Sequence, residues 1–69
     1  MMPHQQRVVD EATELEEKRL KLEIFMRSSS AFPGLPAGEQ RRLVIQLFLM
    51  DAYERVLRER IANFPKVGA

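Results

Sequence analysis

The chain has 69 residues, 11 of them basic and 10 acidic, a net charge of +1 and no cysteine. Disulfides and thiolate metal sites are therefore excluded, and with His4 as the single histidine no metal or cofactor site is expected. So even a charge balance gives no strong pull toward nucleic acid or an anionic membrane.

A chain this short buries only about 60% of the surface its unfolded form exposes. Small folds make up the deficit with disulfides, metals or a partner subunit, and here oligomerisation is the route left. Met1 to Asp10 is polar and lacks the apolar core of a secretion signal. The longest apolar run, Leu43 to Met50, contains Gln46 and falls far short of the roughly 20 residues that span a bilayer.

Pro3 suits the first turn of a helix, where its missing N–H is not needed. No glycine or proline follows until the loop, and Val8, Ala12, Leu15, Leu22 and Met26 recur at helical spacing, with Phe25 beside them. The spacing predicts helix 1 over about 4–27. Acidic residues fill its first half and Lys18, Arg19, Lys21 and Arg27 its second, an order that complements the helix dipole. Pairs four apart, Glu14 with Lys18 and Glu17 with Lys21, are available on its exposed side.

SSSAFPGLPAG, residues 28 to 38, holds serines, prolines and glycines and predicts a loop, assigned to 28–36. Pro36 reads as the first turn of helix 2, predicted over about 37–63, with an irregular tail over 64–69. The expected fold is one all-α domain, a two-helix antiparallel hairpin.

Helix 2 raises a problem of coverage. On a wheel of about 100° per residue, Leu43, Leu47, Met50, Leu57 and Ile61 form one stripe, with Tyr53 and Phe64 at its edge. Ile45, Leu49, Ala52 and Val56 form a second stripe roughly opposite, spaced 4, 3, 4 like a heptad seam, and Val44 and Phe48 widen it. Helix 1 covers one stripe. Each exposed Leu or Ile forfeits roughly 1.5–3 kcal/mol of burial, so the second stripe is expected to meet a second copy. The predicted assembly is a homodimer of four helices, with Ile45, Phe48, Leu49, Ala52 and Val56 at its interface.

No arrangement of residues points to catalysis. Ser28, Ser29 and Ser30 lack a positioned base and read as turn and cap residues. The acidic group Asp10, Glu11, Glu14, Glu16 and Glu17 has neither a Glu-x-x-His partner nor a calcium loop, and reads as a solvated face. Helix 2 and its end carry Arg41, Arg42, Arg55, Arg58, Arg60 and Lys66, interleaved with Glu39, Asp51, Glu54 and Glu59. A salt-bridged face is the simpler reading, and a small RNA- or DNA-binding dimer is the alternative. Phe32, Pro33 and Leu35 in the loop either plug the open end of the hairpin or present a knob to a partner protein. In the second case the partner surface is Ile24, Phe25, Arg27, Phe32 and Leu35, with Arg19 at its rim.

The whole-chain pattern resembles small phage-encoded helical-hairpin proteins. Their shape is H-Q-x-R-V, E-L-x-x-K-x-x-K-L-x-x-F, L-P-x-x-E-x-x-R-L and Y-x-x-V-L-x-x-R-I. It is met here by His4, Gln5, Arg7, Val8, Leu15, Lys18, Lys21, Leu22, Phe25, Leu35, Glu39, Leu43, Tyr53, Leu57, Arg60 and Ile61. The chain departs from it at Arg19–Leu20. In length and style it is also similar to the quorum-sensing anti-activators of transposable phages. That resemblance implies a non-enzymatic inhibitor in the host cytoplasm, bound to a LuxR-type transcription activator or a pilus assembly ATPase. It supplies no contact motif. A structural phage component is the remaining alternative.

Overall fold

The computed structural model describes residues 1–65. The remaining part of the tail expected over 64–69, with Lys66 and Gly68, lies outside the described residues. Two α-helices account for 52 of the 65 described residues: α1, Pro3–Ser28, and α2, Ala37–Ala62, each of 26 residues. No described residue lies in a strand.

The ends of both helices follow from local chemistry. Pro3 stands in the first turn of α1, and the Gln5 side chain reaches back to accept the Met2 backbone N–H at 2.9 Å. Ser29 closes α1 by donating its N–H to the Phe25 carbonyl. Two consecutive turns follow, Gly34 N–H to Ala31 and Leu35 N–H to Phe32. Pro36 is the N-cap of α2, immediately before the first helical turn rather than within it. Gln40, one turn inside α2, donates its side-chain amide to the carbonyls of Leu35 (2.8 Å) and Pro33 (3.1 Å). That staple ties the loop to the helix it enters. Asn63 stops α2 by donating both its backbone N–H and its side-chain amide to the Glu59 carbonyl.

The two helices pack antiparallel as a hairpin, Ala12 and Leu57 at one level and Arg19 and Glu54 further along. The molecule is a rod of 54 × 16 × 15 Å with a radius of gyration of 15.9 Å. A compact domain of this length would have about 11 Å. A rod one helix deep on each side has almost no interior. Among the described residues only Val8, Ala12, Leu57 and Gln5 are buried, with Leu15, Ile61 and Phe64 packed against the first three. All of them lie toward the end of the hairpin where the termini meet. Ala12 has no exposed surface at all, and its small side chain lets α2 approach closely enough to seat Leu57.

Candidate functional site

Three features of the surface bear on function. The first is the line where the helices meet. Arg19 and Glu54 face each other across it, with Arg19 Nε 2.6 Å from Glu54 Oε1 and side chains only 18% and 13% exposed. Glu23 takes the other side of the same guanidinium at 2.9 Å, and Arg58 bridges Glu54 (3.8 Å) to Glu16 (2.7 Å). The hydrogen bond to Glu54 holds the Arg19 guanidinium still more firmly protonated than usual. Arg19 is thus engaged between the helices, which corrects its expected place at the rim of a partner surface. Along α1 the pairs that form are Arg19–Glu23 and Arg27–Glu23. The Glu14–Lys18 and Glu17–Lys21 pairs that the spacing permits are not among them.

Further along the same seam the Tyr53 hydroxyl donates to Glu11. That bond to an anion raises the Tyr53 pKa, since ionising the phenol would set two negative charges together.

The second feature is the loop end. Phe25 and Phe32 meet edge to face, their ring centres 6.1 Å apart at 84°. The geometry suits aromatic quadrupoles and shows Phe32 folded back on α1. Beside it lies an open groove lined by Glu23, Met26, Arg27, Phe32 and Leu47. Leu35 is half-buried in the turn, Arg27 is exposed, and Ile24 is 58% exposed. The structure therefore brings Phe25 to Phe32, sets Phe32 and Arg27 along one groove, and leaves Ile24 bare.

The third feature is the outer face of α2. Val44, Ile45, Phe48, Leu49, Ala52 and Val56 are all exposed, Phe48 by 71%. Nothing within the described residues covers them. On the flank of this face Arg42, Ile45, Gln46, Leu49, Met50 and Tyr53 line a second open groove of about 320 Å³. Contiguous apolar surface on so small a molecule marks an interaction site.

Gln5 as a buried residue, and Arg19 and Glu54 as half-buried residues of the seam, escaped sequence reasoning. The signal was present: each stands where an apolar stripe skips a turn, at 5–8–12, 15–19–22 and 50–54–57.

A helical hairpin with two uncovered apolar surfaces is built as a binding protein. The comparisons agree: the chain belongs to the Sequestin family, whose model matches residues 2–63. No curated protein and no solved structure matches it. The family's name suggests a partner-sequestering protein, consistent with an inhibitor. No helix among the described residues is long and apolar enough to cross a membrane.

Proposed function

We propose that this chain is a non-enzymatic, phage-type inhibitor that works by stoichiometric sequestration of a host regulatory component. The observation that carries the reading is exposed apolar surface far beyond what a stable hairpin needs, in a member of a sequestering family. Binding supplies the inhibition: an occupied target surface is lost to its own partners, and no chemical step is required. The loop end is the target-facing surface in this reading, with Ile24, Phe25, Arg27, Phe32 and Leu35. An apolar groove rimmed by an arginine is what protein hot spots favour. A LuxR-type activator or a pilus assembly ATPase is the target class that the resemblance to anti-activators suggests. The outer face of α2 is the self-association surface, and a four-helix homodimer is the working form.

A second reading rests on the groove that shares Arg42, Ile45 and Leu49 with that face, so that a bound small molecule and a second copy would compete for it. It lies at the small end of the roughly 300–1,000 Å³ that ligand sites occupy. It joins an apolar floor to a guanidinium, an amide and a phenol ring. Such a groove suits a small molecule with a planar part and an anionic or accepting group, which Tyr53 would stack on and Arg42 would hold. The sequestered component would then be a metabolite.

One experiment separates the two. Tagged protein is incubated with nuclease-treated host lysate, washed at two salt concentrations, and split into an intact and a heat-denatured portion. The leading reading expects a stoichiometric host protein that survives both washes. It also expects Phe32→Ala to reduce that recovery at least about tenfold, the size of a hot-spot truncation. A small molecule released into the heated filtrate, with no stoichiometric protein, replaces it by the second reading. Nucleic acid recovered without nuclease and lost at high salt would favour the nucleic-acid alternative.

A further inference from the structure

The outer face of α2 carries a pattern that depends on chain direction. At heptad spacing its seam runs Arg42, Ile45, Leu49, Ala52, Val56 and Glu59, and all six are exposed. Turned end over end about the midpoint between Met50 and Asp51, the seam lands on itself. Ile45 then meets Val56, Leu49 meets Ala52, and Arg42 meets Glu59 at each end. Each core contact sets a larger side chain against a smaller one, as interdigitating layers require. Each end sets a cation against an anion. A parallel pairing of the same seam would instead set Arg42 on Arg42 and Glu59 on Glu59. Arg41 and Arg60 share a level in the antiparallel arrangement, but they leave the helix about 100° apart, on different flanks of the seam.

We infer that α2 pairs with α2 of a second copy, antiparallel and centred between Met50 and Asp51, with reciprocal Arg42–Glu59 ion pairs closing both ends. The inference rests on the reading of this face as the self-association surface, and adds its direction, register and specificity. The seam lies opposite the stripe that holds α1, so the second copy reaches α2 without displacing α1. Arg42 has only a 3.5 Å contact to Glu39 to give up, and its side chain is 63% exposed. An isologous interface doubles every contact, so one charge reversal acts at both ends at once.

The test compares dimer dissociation for the full chain, R42E, E59R and R42E/E59R by sedimentation at low salt. Helix content is followed by circular dichroism. Each single variant should weaken the dimer by about tenfold or more, and the double variant should recover to within about threefold of the parent. Since the chain has no cysteine, single thiols supply an independent readout. A mixture of I45C and V56C should oxidise to the mixed disulfide dimer, and I45C alone should not. A parent protein that stays monomeric at high concentration overturns the self-association reading and leaves the face to a foreign partner. A parent dimer that L49E/V56E fails to dissociate also places the interface elsewhere. A dimer broken by L49E/V56E but indifferent to both charge reversals, with I45C crosslinking to itself, keeps the face and overturns the register.

Discussion

Leu57→Ala is expected to remove most of the stability of the hairpin. Leu57 is the one large side chain among the described residues that is fully buried, seated on Ala12 and Val8 from α1. Truncating a buried leucine costs roughly 2–5 kcal/mol, the lost transfer energy plus the cavity. A domain of this length has in total about 3–10 kcal/mol to lose. A rod with one thin core has no second layer that can close over the gap. The midpoint of thermal unfolding, followed by circular dichroism at 222 nm and fixed protein concentration, should fall by about 10–30 °C. Leu20→Ala removes the same atoms from an exposed position and should cost under about 1 kcal/mol. Equal effects at the two positions would mean that the helices do not pack through the Ala12–Leu57 contact.

The second large effect concerns Arg19 and Glu54. Arg19→Met strips a largely shielded carboxylate of its closest cation, while Arg58 remains at 3.8 Å as a partial substitute. A fully buried pair broken this way costs about 3–5 kcal/mol. Partial exposure and the nearby Arg58 hold the loss here well below that figure. The informative variant is the double one. Arg19→Met with Glu54→Leu leaves no unpaired charge and adds apolar area to a thin core, so stability should return to the parent value or exceed it. Denaturant unfolding of the four proteins gives the coupling directly. A double variant less stable than Arg19→Met alone would mean that the ion pair itself contributes to holding the hairpin. A gain in stability would suggest that the pair instead specifies register. An apolar rod can slide by a turn, whereas Arg19 opposite Glu54 is satisfied in only one alignment.

The hairpin was legible because its signals are local. Helical spacing runs unbroken through each segment, Pro3 and Pro36 punctuate the starts, and the serine, proline and glycine cluster leaves the chain no option but to turn. The two stripes of α2 were equally legible, and the structure leaves the outer one exposed from Val44 to Val56. The seam interactions were not. Read alone, Arg19 is one more cation on the basic half of α1 and Glu54 one more polar residue on α2.

The sequence by itself determined two amphipathic helices, their order, the loop between them and an apolar surplus on α2. Each depends on residues within a few turns of one another. Only the tertiary structure decided which polar residues enter the seam and that the core gathers around Leu57. Those outcomes depend on the level at which α1 meets α2, and that level is set by side chains 35 to 45 residues apart acting together.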